Sequence, residues 1–216
     1  MNKAFIFDMD GVLLNNEPVW NDVKARVYTD LFGPEIKEKM ENTTGLSLDK
    51  IFNLAKSFGA NTSRKDFDAV WDKEATYVYT VAPLTPELDK LIAYLQENEF
   101  KLGLVSASPI SWIKNSVFPR LSFADKFEIV ISLHERTDLH HKPAPDGYLE
   151  AMKVLETEPK DTIILEDSNA GIAAGIAAGA FVIGLQENLV PGYKQTGADV
   201  YAKSIKEVLE IVEKRN

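Results

Sequence analysis

The chain has 216 residues, room for one ordinary domain or for one domain with a modest insertion. Apolar residues make up 45% and charged residues 26%, a balance that excludes disordered and fibrous classes. A formal net charge of -9 with no segregated basic run argues against nucleic acid as a partner, and the absence of cysteine removes disulfides, thiolate zinc sites and cysteine nucleophiles together.

Ala4 to Phe7 is the first apolar run. It is far shorter than the roughly 7–15 apolar residues of a secretory signal and reads as a buried strand. Residues 16 to 81 then show no convincing strand. They read as helices over Val19 to Leu31, Leu48 to Phe58 and Lys65 to Tyr79, with Gly33-Pro34, Gly45 and Gly59 as stops. Pro83 and Pro86 mark re-entry. The helix Pro86 to Glu99 places Leu88, Leu91, Ile92 and Leu95 on one face. Strands follow at Leu102 to Val105 and Phe127 to Ile131, then a helix over Asp146 to Leu155. A strand at Thr162 to Leu165 leads into a small-residue helix, a strand at Phe181 to Ile183 and a helix over Ser204 to Glu213.

The small-residue stretch raises the possibility of a membrane span, since Gly171, Gly175 and Gly179 recur at four-residue spacing. Ten of the sixteen residues from Ala170 to Leu185 are Ala or Gly, and the run falls short of the ~20 apolar residues a span needs. A soluble, cytoplasmic, monomeric protein without a membrane partner is expected. Strands that lack strict alternation and alternate with helices imply a Rossmann-like parallel sheet with helices on both faces. The expected organisation is an α/β core, residues 1–15 and 82–216, interrupted after its first strand by an all-helical domain, residues 16–81.

In such sheets ligands bind at the carboxyl ends of the strands. The first strand ends in Asp8-Met9-Asp10-Gly11, where Gly11 permits a tight coil that turns both carboxylates toward a crevice. A calcium loop would need further acidic groups, and Val12, Leu13 and Leu14 follow instead. The second strand leads to Ser106-Ala107-Ser108-Pro109, a hydroxyl beside helix-start amides that can hold phosphate oxygens or simply cap a helix. After the third strand stands Lys142-Pro143, a lysine able to neutralise a phosphate. The fourth ends in Glu166-Asp167-Ser168, an adjacent acidic pair that a cation would offset. Two aspartates, a serine, a lysine and an acidic pair at four strand ends form a kit for phosphoryl transfer through an aspartyl phosphate, with Mg2+ as the hard cation that oxygen ligands suit. His134, His140 and His141 lack the partners a zinc site needs and read as loop residues.

Phe5-Ile6-Phe7-Asp8-Met9-Asp10-Gly11-Val12-Leu13 and Ile164-Leu165-Glu166-Asp167-Ser168 through Gly171 closely resemble the signature segments of the haloacid dehalogenase-like (HAD) phosphohydrolases. The resemblance spans essentially the whole chain and is greatest to the sugar-phosphatase and β-phosphoglucomutase group with a helical cap. It implies Asp8 as nucleophile and Asp10 as general acid/base. Asp8, the Asp10 carbonyl and Asp167 would bind Mg2+, with Glu166 supporting it through waters. Ser106, the Ala107 amide and Lys142 would hold the phosphoryl group. In relatives the bond corresponding to Lys142-Pro143 is cis, so a cis bond is expected here.

Two departures stand out. Family members commonly carry Asp-Ser or Asp-Thr where this chain has Asn15-Asn16, placed by the resemblance at the cap hinge and away from the metal. Mutases of the group usually carry a histidine ten residues beyond the second motif aspartate, where this chain has Trp20. That favours hydrolysis of a small phosphorylated sugar or polyol, with β-phosphoglucomutase activity as the alternative. Glu17, Trp20, Thr44 and Lys50 are the candidates to contact the sugar. Trp20 reads equally as cap core and Lys50 as a solvated helix residue. A dehalogenase would lack this acidic set, a phosphonatase would need a Schiff-base lysine in the cap, and a binding-only relative would be expected to have lost one of the core groups.

Overall fold

The computed structural model describes residues 2–40, 43, 46 and 48–216. The chain divides into two compact units, Met1–Asn16 with Pro83–Asn216, and Glu17–Ala82.

The first unit is built on a six-stranded parallel sheet: β1 (Lys3–Phe7), β2 (Phe100–Ser106), β3 (Phe127–Ser132), β4 (Thr162–Glu166), β5 (Phe181–Leu185) and β6 (Val200–Ala202), in the order β3-β2-β1-β4-β5-β6. β1 is central, and Ala4 through Phe7 are each 0% exposed, which is why this run shows no polar alternation. Burying each of its larger side chains contributes about 1.5–3 kcal/mol. Five strands match apolar runs read from the sequence. β6 does not, because three residues are too few to register as a run. The chain winds outward from β1 through β2 to β3, then returns to lay β4 on the other side of β1. That reversal puts the switch point of the sheet at the carboxyl ends of β1 and β4, the usual ligand position in doubly wound sheets.

The second unit is helical: α1 (Glu17–Phe32), α2 (Pro34–Lys39), α3 (Leu48–Ser57) and α4 (Arg64–Val81). Trp20, Val23, Val27 and Tyr28 of α1 and Phe67, Trp71, Ala75 and Val78 of α4 are buried in it. The Ser63 hydroxyl caps α4 by accepting from the Asp66 amide at 3.1 Å. Gly33-Pro34 does more than stop a helix. Gly33 ends α1 with a φ of 82°, and Pro34 opens α2 at a position where its missing N–H costs nothing.

In the first unit the α-helices are α5 (Leu88–Glu97), α6 (Ile110–Trp112), α7 (Asp146–Leu155), α8 (Asn169–Ala177) and α9 (Ile205–Arg215). α5 is shorter at both ends than its apolar pattern suggests, because Glu87 and Glu99 adopt φ of 62° and 59° and break the helical path. α8 is the expected small-residue helix, and its Ile172 and Ala174 join the core beneath the sheet with Tyr148, Met152 and Leu155 of α7. Among the described residues no helix is long and apolar enough to cross a membrane. The Lys142-Pro143 bond ahead of α7 is cis, as the resemblance implied.

Candidate active site

After β1 the chain coils tightly, the Leu13 amide donating to the Met9 carbonyl at 2.8 Å and the Gly11 amide to the Leu14 carbonyl at 3.0 Å. Gly11 has a φ of 76°, and a Cβ there would lie 1.9 Å from Asp167 Oδ2. Only glycine allows the β1 loop to press against the Asp167 carboxylate. The contact gathers one carboxylate oxygen from each of Asp8, Glu166 and Asp167 within 4.8 Å of one another.

Lys142 ties this cluster together. Its Nζ donates to Asp8 Oδ1 at 2.5 Å, to Glu166 Oε1 at 2.6 Å and to the Val105 carbonyl at the end of β2 at 3.1 Å. Glu166 is fully buried and fully engaged. Its Oε1 also accepts from the Tyr148 hydroxyl at 2.7 Å, and its Oε2 accepts from the Asp167 amide, the Ser168 amide and the Ser168 hydroxyl, each at 3.1 Å. A Cβ on Gly171 would fall 1.7 Å from Glu166 Oε1, so the start of α8 has to be glycine there for this carboxylate to be seated.

Burial pushes the Asp8 carboxyl up to about 8, against the pull of Lys142 and with help from Glu166 and Asp10. Burial, then Glu166, Asp8 and Asp10, hold Asp167 well above the usual carboxylate range. Burial draws Lys142 down, but Asp8 and Glu166 outweigh it and keep the ammonium well above an ordinary lysine. The cluster thus holds more acid than Lys142 balances. Crowded, desolvated carboxylate oxygens are the donor set that a hard divalent cation such as Mg2+ fits.

Asp10 is held from both sides. Asn16 Nδ2 donates to its Oδ1, and the Ser108 hydroxyl donates to its Oδ2 at 2.8 Å. Asn16 Oδ1 in turn accepts from the Gly11 amide at 3.3 Å. Asn16, expected at a hinge away from the metal, is 2% exposed and touches Asp10 directly. Ser106 is fully buried at the end of β2, its hydroxyl accepting from the Ser108 amide at 3.1 Å, and Ala107 between them is exposed.

The family model for haloacid dehalogenase-like hydrolases matches residues 2–179. The chain belongs to the haloacid dehalogenase-like hydrolase family. It is 31% identical over 180 residues to hexitol phosphatase B of Escherichia coli, spanning 81% of this chain and 79% of that protein. It is 27% identical over 216 residues to the β-phosphoglucomutase of Bacillus subtilis, spanning 93% of this chain and 89% of that one. Among solved structures, the fold is shared with CbbY of Rhodobacter sphaeroides in complex with phosphate, with a TM-score of 0.76, 19% identity and 96% of each chain covered.

In this HAD-like hydrolase the core candidates Asp8, Asp10, Ser106, Glu166 and Asp167 lie at or just beyond strand ends of the α/β unit, and Lys142, in the loop between β3 and α7, reaches them through its Nζ. The candidates on the helical unit are not gathered in the same way. Trp20 is 7% exposed and packs 5.3 Å from Trp71 and 6.0 Å from Tyr79, measured between ring centres. That leaves little of its indole to meet a ligand. Glu17 pairs with Lys24 at 3.2 Å, Lys50 is exposed on α3, and Thr44 lies outside the described residues. His140 accepts the loop-residue role, with its ring Nδ1 2.8 Å from Asp146 Oδ2.

Several residues that hold the site escaped the sequence reading. Tyr148 was legible as part of the apolar face of α7, without its bond to Glu166. Ser108 was visible in the Ser106–Pro109 segment, without its bond to Asp10, and Asn188 and Gln195 carried no signal. Asn188 Nδ2 donates to the Gly11 carbonyl at 3.0 Å, and Gln195 Nε2 donates to the Asp167 carbonyl at 2.7 Å.

Proposed function

We propose that this protein is an Mg2+-dependent phosphatase that hydrolyses a small phosphorylated sugar or polyol through an aspartyl phosphate on Asp8. The observation that carries the reading is the Asp8–Lys142–Glu166 network beside Asp167, at the switch point of the sheet. A carboxylate nucleophile divides the displacement into two easier steps. Asp8 attacks phosphorus and takes the phosphoryl group. Asp10 protonates the departing sugar oxygen and then removes a proton from the water that attacks the phosphoenzyme. Asn16 and Ser108 keep one donor on each Asp10 oxygen, which aims that carboxyl. Ser106, the Ala107 amide and Lys142 receive the phosphoryl oxygens. The carboxylates of Asp8 and Asp167 and the carbonyl of Asp10 would hold Mg2+, with Glu166 behind them, and when bound the cation would offset charge on the transferring group.

The sugar or polyol class is supported by the likeness to hexitol phosphatase B over most of the chain. The likeness to a β-phosphoglucomutase over 93% of the chain favours a second reading, transfer to a sugar hydroxyl in place of water. The mutase histidine is absent: all three histidines, His134, His140 and His141, lie in the α/β unit. The helical unit is proposed to select the substrate, with Glu17, Lys50 and Thr44 as its contacts. With Mg2+, phosphate release should be greatest on a hexose or hexitol monophosphate in a panel that includes nucleotides. Supplying β-glucose 1-phosphate with a trace of the 1,6-bisphosphate should yield inorganic phosphate and negligible glucose 6-phosphate. Glucose 6-phosphate formation that outruns phosphate release would replace the first reading with the second.

A further inference from the structure

The segment that follows β5 carries no member of the acidic cluster, yet it grips the main chain on both sides of it. Asn188 donates through the two hydrogens of one Nδ2, to the Gly11 carbonyl at 3.0 Å and to the Thr85 hydroxyl at 2.8 Å. Gln195 does the same through Nε2, to the Asp167 carbonyl at 2.7 Å and to the Leu185 carbonyl at 2.8 Å. Gly11 and Asp167 are the two residues whose close approach joins the β1 loop to the β4 loop. One loop therefore holds the backbone of both acid-bearing loops where they meet.

The same loop is anchored along its length. The Tyr193 hydroxyl accepts from the Asn169 amide at 2.8 Å, Asn169 Nδ2 donates to the Lys194 carbonyl at 2.9 Å, and Asn169 Oδ1 accepts from the Thr196 amide at 2.8 Å. These bonds fasten it to the first turn of α8, two residues beyond Asp167. Gln195 Oε1 is buried and has no hydrogen-bond partner among the described residues. Turning the amide over would aim that oxygen at two carbonyls, so the two acceptors dictate its orientation.

We propose that Asn188 and Gln195 are positioning residues for a divalent cation, and that the 186–197 loop sets its affinity by fixing the distance between the Asp8–Asp10 loop and Asp167. The inference rests on the reading that the cation binds between Asp8 and Asp167. Outer partners of metal ligands typically alter affinity by ~10–100-fold when removed. The two carboxamides act one step further back, on the backbone of the ligand-bearing loops, so an effect of about tenfold is expected of each.

The test uses the full chain and Mn2+ alone, with binding followed by the loss of the free Mn2+ resonance and by titration calorimetry. Wild type should bind Mn2+, and Asp167→Asn should lose that binding. Gln195→Glu keeps the shape and points an acceptor at two carbonyls; Gln195→Met removes both donors without adding charge; Asn188→Asp does at Gly11 what Gln195→Glu does at Asp167. Each should raise the Mn2+ dissociation constant about tenfold or more. The Mg2+ concentration for half-maximal activity should rise in step, while kcat at saturating Mg2+ and inhibition by inorganic phosphate stay within twofold of wild type. Metal-free melting curves identify which variants are folded. Wild-type Mn2+ affinity in both folded Gln195 variants would overturn the proposal. So would kcat and phosphate affinity falling together at unchanged metal affinity, the mark of a purely structural loop. Retained binding in Asp167→Asn would instead overturn the metal site itself and take this inference with it.

Discussion

At the strand ends of the α/β unit, Asp8, Lys142, Tyr148 and Glu166 share one buried network in which each polar atom leans on another. In the helical unit the polar candidates are more exposed: Glu17 pairs with Lys24 on side chains 26% and 15% exposed, and Lys50 lies on the outside of α3. Most of the large aromatic side chains of that unit are spent on its own core, where Trp20 meets Trp71 and Phe32 stacks on Phe67 at 6.2 Å, while Tyr77 is exposed. Reaction chemistry that must exclude water ends up in coupled groups that cannot be altered singly. If the helical unit selects the substrate as proposed, its contacts need no such coupling.

The sharpest way to break that comparison is at the nucleophile. Asp8→Asn keeps the shape and removes the attacking charge, so kcat on p-nitrophenyl phosphate should fall by about three orders of magnitude or more. Activity near wild type would refute the aspartyl phosphate. Lys142→Met is next. It strips the cation from two buried carboxylates, and breaking a buried pair from one side costs about 3–5 kcal/mol. Urea unfolding without metal should show a loss of that order together with lost activity. A variant as stable as wild type would mean that Asp8 and Glu166 do not depend on Lys142.

Coupling also gives the site a pH signature in the metal-free protein. Asp8 is raised from the usual carboxylate value to about 8, chiefly by burial. The folded state therefore keeps a proton that the unfolded state has released. Stability should be highest near the unfolded carboxylate value and decline as pH rises toward about 8. Urea midpoints in EDTA across that window measure the slope. Asp8→Asn should flatten it, and Mg2+ should flatten it in wild type by favouring the charged form. A slope unchanged in Asp8→Asn would assign the effect to other groups.

What was legible in the sequence follows the same division. Asp8, Asp10, Ser106, Lys142, Glu166 and Asp167 could be found because each follows an apolar strand, and strand ends in a parallel sheet converge. The groups that hold them could not. Asn188 and Gly11 are 177 residues apart, and a neutral carboxamide leaves no mark in charge or periodicity. Asn16 was read as a hinge residue because its position in the chain is visible and its bond to Asp10 is not. α2 was hidden by a Gly-Pro pair that ends one helix and begins another. An aromatic residue at helical spacing suits a core and a sugar-facing surface alike, so only packing could place Trp20 in the core.

The smallest expected effect lies in the helical unit, at Lys50. Lys50 is exposed on α3, and exposed side chains are removed at little cost, so Lys50→Ala should change unfolding free energy by about 0.5 kcal/mol or less. If the helical unit selects the substrate, the change should appear only where a sugar is present. A single exposed contact is worth about 1 kcal/mol at most, so KM for the preferred hexose or hexitol phosphate should rise by roughly fivefold or less. Hydrolysis of p-nitrophenyl phosphate, which offers no hydroxyls to recognise, should be unchanged, because Asp8 and its partners are untouched. Equal losses on both substrates would mean that Lys50 acts on the chemistry itself, and the independence of the two regions would fail at its weakest point. An unchanged KM for every sugar phosphate would move the search for specificity to Glu17 and Thr44.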